Sequence, residues 1–274
     1  MSEGSSRRGG TLAQYVALGS SFAAGPGLGA RDPAGPLVSV RSSHGYPTLL
    51  ARARNLSLTN MTSSAAKASH LLRHRQYGIL RPQIEGLRPE TTLVTMTVGG
   101  NDVGYVGDLT RVAHRSRPTL VGMALRCCWK GPRPLQSRPF QRLHDELLHI
   151  LREVSRRSPR AHVLVVTYPV VLPPEGACPE FGIGRSDAAL MRAVGERLAA
   201  VTRSAAEAGR AEVVDMDLLS VGHDGCAREP WVNRLDRTRA APFHPTLVGM
   251  RATADAIGRV LDASLGVPWV AVTT

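Results

Sequence analysis

Apolar positions in this chain follow two rhythms that alternate along its length. Short runs rich in Val, Leu and Thr predict strands at Gln14–Leu18, Leu56–Met61, Thr92–Val98, His162–Tyr168 and Glu212–Met216. Thr92–Val98 and His162–Tyr168 are apolar and β-branched over most of their length, which suits strands covered on both faces. Between the runs, apolar residues recur at helical spacing. Phe140–Arg157 sets Leu143, Leu147, Leu148, Ile150 and Leu151 on one stripe. Tyr46–Arg54 (opened by Pro47), Val103–Arg115, the alanine-rich Arg185–Gly209 and the closing Thr246–Leu265 read as further helices. Ala65–Leu80 and Pro82–Gly86 read as helical or irregular. The segments 25–36, 116–138, 169–184 and 218–242 are rich in turn formers and read as loops. Strands that alternate with helices, over connections long enough for crossovers, predict a mostly parallel five-stranded sheet with helices on both faces. No repeat or linker divides the chain. The expected organisation is a disordered tail over residues 1–10 and a single domain over 11–274.

Composition narrows this picture. With 274 residues, 43% of them hydrophobic and 4% aromatic, the chain can bury a large core built mostly from Val, Leu and Ala. No apolar run reaches the roughly 18–20 residues that span a bilayer. Met1–Gly10 is polar and basic and lacks an apolar signal core, so the chain as written reads as cytoplasmic, with secretion as the alternative. Net charge is +12, and no acidic residue falls between Pro33 and Ile84. Such a surface concentrates anions and suits peripheral contact with anionic surfaces. The basic residues are not interleaved with aromatics, so no specific nucleic-acid partner is expected. A monomer is expected.

There are four cysteines. Adjacent Cys127 and Cys128 do not pair with each other in ordinary geometry. The lack of a C-x-x-C spacing excludes a zinc knuckle or thioredoxin-type site. Cys178 and Cys226 both lie in loop-like sequence. The alternatives are a bridge between them or four reduced thiols.

Candidate chemistry gathers at element boundaries. The apolar run at Tyr15 stops at Gly19-Ser20-Ser21, Gly99-Gly100-Asn101-Asp102 follows a second run, and Phe243-His244-Pro245 precedes the last helix. A serine, an amide donor and a histidine are what acyl transfer through a serine ester requires. Ser21 and Asn101 both follow strands, at the sheet edge where parallel α/β folds bind ligands. Asp102 reads as a helix cap. Gly25, Gly27 and Gly29 lack the spacing of a dinucleotide loop. His70 and His74 stand four apart, but Leu71 holds the place of a catalytic Glu, so they read as a surface pair and no metal is expected.

These three segments resemble the motifs of the SGNH hydrolase superfamily, the GDSL esterases and lipases. Gly19-Ser20-Ser21-Phe22 stands for Gly-Asp-Ser-Leu/Phe, Gly99-Gly100-Asn101-Asp102 matches Gly-x-Asn-Asp, and Ala241-Pro242-Phe243-His244-Pro245 stands for Asp-x-x-His-Pro. The resemblance runs from Tyr15 to Ala263. It implies a three-layer, flavodoxin-like α/β fold and a serine esterase or lipase acting on a small-molecule or lipid ester without a cofactor. Ser21 is then the nucleophile and His244 the base. Ser21 N–H, Asn101 Nδ2 and a backbone N–H at Ser64, where the family has glycine, form the oxyanion hole. Ser20 replaces the motif aspartate, and Ala241 stands in place of the triad acid. The implied substitute is a Ser–His dyad whose imidazole is held by a main-chain carbonyl, placed at Ala241. Asp236 is an alternative through a longer loop. Glu229-Pro230-Trp231-Val232-Asn233 resembles the segment before the histidine in that dyad subgroup. The three departures leave one rival within the fold, a catalytically degenerate protein that binds lipid or glycan.

Overall fold

The computed structural model describes residues 13–177, 181–235 and 241–265. The expected tail over 1–10 lies outside them. Five strands, β1 (Gln14–Gly19), β2 (Ser57–Asn60), β3 (Thr91–Thr97), β4 (His162–Val166) and β5 (Glu212–Val214), form one sheet in the order β2-β1-β3-β4-β5. All four pairings are parallel. The order reverses at β1, so the crevice beyond the carboxyl ends of β1 and β3 is the topological switch point.

Among the described residues the helices are α1 (Ser21–Ala24), α2 (Tyr46–Arg54), α3 (Ala68–Leu72), α4 (Tyr105–Arg115), α5 (Leu120–Cys128), α6 (Phe140–Arg157), α7 (Arg185–Ala208), α8 (Met216–Leu219) and α9 (Leu247–Leu265). Alternation along the strands decides which layer each side chain joins. Val16, Leu18, Val94, Met96 and Val165 pack with α4, α6 and α7 in one core. Tyr15, Ala17, Leu93, Leu164 and Val166 pack with α2 and α9 in another. The three-layer α/β fold expected from the sequence is present. The sequence reading missed α5, inside the segment expected as a loop, and the short helices α1 and α8, which follow directly on β1 and β5.

Polar side chains buried within the sheet are paired. Tyr15 Oη lies 2.7 Å from Thr95 Oγ1, and Tyr46 Oη lies 2.9 Å from Thr97 Oγ1. Unpaired, each hydroxyl would cost on the order of 1–3 kcal/mol.

Candidate active site

β1 ends in a turn with no room for a side chain at its first position. Gly19 has φ +148°, and a Cβ there would lie 2.6 Å from the Thr97 carbonyl. Gln83 clamps the same glycine, accepting its N–H at 2.7 Å and donating to its carbonyl at 3.0 Å. Ser20 N–H bonds the Thr97 carbonyl, and the chain coils at once into α1 with Ser21 as its first residue. At that position the Ser21 N–H lies outside the helix's own ladder. Ser21 is 6% exposed.

His244 meets Ser21 across 223 positions of sequence. Its Nε2 lies 2.7 Å from Ser21 Oγ, and its Nδ1 lies 2.8 Å from the Pro242 carbonyl. A carbonyl can only accept, so Nδ1 carries the proton. Nε2 is therefore the acceptor for the serine hydroxyl. Burial lowers the His244 pKa, partly opposed by the Pro242 bond, and so favours the neutral imidazole with a free Nε2 lone pair. The Phe22 ring stands 5.1 Å from the imidazole and 4.4 Å from the Tyr168 ring.

The orienting carbonyl belongs to Pro242, which corrects the placement at Ala241. The Ala241 carbonyl instead accepts the His244 N–H at 3.3 Å, closing the turn that carries the histidine. Phe243 within that turn is buried with φ +62°, a left-handed conformation uncommon outside glycine. Asn233 pins the turn: its Nδ2 donates to the carbonyls of His244 and Pro245, and its backbone exchanges hydrogen bonds with Phe243 and His244. Asp236 lies outside the described residues.

The oxyanion donors divide. Asn101 sits beside β3, and one N–H of its Nδ2 donates to the Ala66 carbonyl at 2.9 Å, leaving the second. The Ser64 N–H donates to the Ser39 carbonyl at 2.9 Å, so the third expected donor is occupied by the loop before α2. Asp102 does not cap the helix that follows it. Its carboxylate accepts the Ala68 N–H at the start of α3, and burial raises its pKa to about 6.

Tyr168 was not anticipated as a site residue. It follows β4 at the same sheet edge, shares a hydrogen bond with Ser20, accepts the Gly100 N–H and is 5% exposed. Its place at the end of an apolar run was the available signal. Cys226 is disulfide-bonded, Cys127 and Cys128 are free thiols, and Cys178, its expected partner, lies outside the described residues. No group of three or more metal-ligating side chains occurs among the described residues, and no helix there is long and apolar enough to cross a membrane.

The profile of the GDSL-like Lipase/Acylhydrolase family matches residues 17–252. Lipase 2 of Streptomyces coelicolor is 30% identical, over 88% of this chain and 83% of its own. A lipase of Streptomyces rimosus is 27% identical, over 86% and 81%. The crystal structure of phospholipase A1 from Streptomyces albidoflavus NA297 superposes with a TM-score of 0.71 at 24% identity, covering 91% of this chain and 99% of that one, and shares the fold. The chain belongs to the GDSL-like lipase/acylhydrolase family and is a carboxylic ester hydrolase.

Proposed function

We propose that the chain cleaves acyl esters through a serine-bound acyl intermediate made by the Ser21–His244 pair. The observation that carries this reading is the 2.7 Å contact between Ser21 Oγ and His244 Nε2, with Nδ1 fixed by the Pro242 carbonyl. His244 takes the hydroxyl proton as Ser21 attacks the ester carbonyl carbon. The oxyanion that forms draws on Ser21 N–H and the second N–H of Asn101 Nδ2, a type of donor whose loss costs about 10²–10³ in rate. His244 then protonates the leaving alcohol. Water, activated by the same imidazole, releases the acid and regenerates Ser21. Among the described residues no carboxylate is hydrogen-bonded to the imidazole, whose Nδ1 is held by the Pro242 carbonyl. The chain does this work with a neutral carbonyl dipole.

A cavity of about 270 Å³ lies beside Tyr168, with Val171, Leu172, Leu218 and Val221 on its apolar side and Arg192, Glu196, Asp217 and Asp224 also in its walls. It suits the acyl chain of the substrate. Leu120, Val121 and Met123 on α5 are 81%, 57% and 50% exposed. With the net charge of +12, this supports peripheral contact with an anionic lipid surface. The disulfide at Cys226 supports a working place in an oxidising compartment outside the cytoplasm.

The test is turnover of p-nitrophenyl butyrate by the purified chain, by Ser21→Ala and by His244→Ala. Turnover that vanishes in both variants is the expected result. Lipid or glycan binding without turnover in the unaltered chain is the outcome that favours the degenerate reading.

A further inference from the structure

A second cavity, of about 590 Å³, opens along the edge strand β2, and Asp32, Ser39, Arg41, Ser63, His70 and Arg81 are among its walls. Arg41 is 6% exposed, yet among the described residues no hydrogen bond engages its guanidinium, and its Nε is buried without a partner. Among the described residues its ionic contact is with Asp32, Nε to Oδ2, at 3.6 Å, beyond hydrogen-bond reach. A guanidinium carries five N–H donors, and buried donors normally find acceptors.

The surroundings are built around this group. A Cβ at Gly35 would lie 2.7 Å from Arg41 Nε and 2.8 Å from Nη2, so the guanidinium rests against a residue that has no side chain to displace it. Ser63 is 3% exposed, and its hydroxyl is also buried without a partner. His70 accepts the Lys67 N–H at Nδ1, which leaves Nε2 to carry the proton as a donor. Arg81 also lines the cavity and reaches Glu85 at 3.6 Å, so its charge, like that of Arg41, has a carboxylate nearby but none within hydrogen-bond reach. The cavity adjoins the nucleophile's turn: Ser63 N–H bonds the Gly19 carbonyl, and Ser39 bonds Ser64.

We infer that this cavity is an anion subsite for a phosphate-type tetrahedral group, held by the Arg41 guanidinium, the Ser63 hydroxyl and His70 Nε2–H. The group arrives either on the alcohol part of an ester substrate, a case that rests on the esterase reading above, or as free phosphate. The three donors line the same cavity, and arginine offers its N–H groups in a fixed fork geometry that matches the oxygens of such a group.

Calorimetric titration of the full chain with inorganic phosphate in a low-chloride buffer tests the site. We expect saturable binding, weakened about ten-fold or more in Arg41→Gln and in Ser63→Ala, since a charge-assisted hydrogen bond is worth at least that factor. Gly35→Ala keeps the charge but shifts the guanidinium, and weakens binding likewise. Circular dichroism melts show whether each variant is folded. Absence of binding in the unaltered chain overturns the inference, as does equal binding by the chain and all three folded variants. Two kinetic arms then locate the source of the group. Phosphate that raises KM for a 1-acyl-glycerol 3-phosphate but not for p-nitrophenyl butyrate places the group on the substrate. Binding without effect on either ester places it as free phosphate. A chain that binds phosphate yet hydrolyses neither ester keeps the subsite and sinks the esterase reading instead.

Discussion

Ser20 Oγ and Tyr168 Oη stand 2.9 Å apart, and the same tyrosine oxygen accepts the Gly100 N–H at 3.1 Å. One phenol thus ties the turn bearing the nucleophile to the loop bearing Asn101. Ser20 stands where the family motif has aspartate, and it is the serine that allows a neutral, fully buried tie. Tyr168→Phe keeps the ring against Phe22 but leaves the Gly100 N–H without its acceptor. We expect a loss of stability of about 1–3 kcal/mol by urea denaturation. We also expect a fall in kcat for p-nitrophenyl butyrate larger than any change in KM. Unchanged kcat would show that the tie is structural only.

The pH profile reports on His244. The neutral imidazole is the active form, so kcat/KM rises with pH as the ring loses its proton. Burial lowers the pKa, which puts the midpoint of that limb on the acid side of the ordinary value of 6.5. Ala241→Asp restores a carboxylate where the motif has one. A carboxylate near the ring favours imidazolium, and the midpoint should move to higher pH. A limb that stays in place in the variant means the new carboxylate does not reach the ring.

Much of this site was legible in the sequence because it falls where element types change. Tyr46–Arg54 and Phe140–Arg157 hold as helices at their expected bounds, and Ser21, Asn101 and His244 follow or precede elements whose periods are plain. What stayed hidden is carried by backbone. The histidine's partner is a carbonyl, which no residue type announces, so reasoning from the vacant aspartate position pointed one residue early. The occupied Ser64 N–H depends on the path of the loop at Ser39, and nothing local encodes it. Helix α5 was masked by prolines that frame it rather than break it. Pro118 precedes the Thr119 cap, whose Oγ1 accepts Gly122 N–H at 3.1 Å, and its apolar residues face outward instead of marking a core stripe.

Asp102 makes stability depend on mildly acidic pH. Its folded pKa of about 6 lies above the ordinary 3.8 because burial disfavours the carboxylate. The folded state therefore binds the proton more tightly than the unfolded chain. Its contribution is fully present below pH 4 and is lost as pH rises through 6. The span amounts to about 3 kcal/mol at most. Asp102→Asn can still accept from Ala68 and does not titrate. Its melting temperature should gain on the unaltered chain between pH 4 and pH 7, and parallel curves would contradict the burial argument.

Chain-length preference should follow the cavity beside Tyr168. Val221 is 63% exposed at its wall. Val221→Trp narrows the space without touching the core. The ratio of kcat/KM for p-nitrophenyl decanoate to that for the acetate should fall about ten-fold, the scale on which an apolar pocket discriminates. An unchanged ratio would place the acyl chain elsewhere.

Reduction probes the covalent tie at Cys226. Cys226→Ser, or dithiothreitol on the unaltered chain, should cost about 2–4 kcal/mol of stability by denaturant titration. Equal stability with and without reductant would remove the support that the disulfide gives to an oxidising compartment.

The acceptor that holds His244 is a main-chain oxygen. No single codon change at 242 can delete it, whereas an aspartate in that role would be one missense substitution from loss. Heritable damage to this part of the dyad must come through the path of the peptide, and the strained left-handed residue at Phe243 is where that path is most exposed to drift.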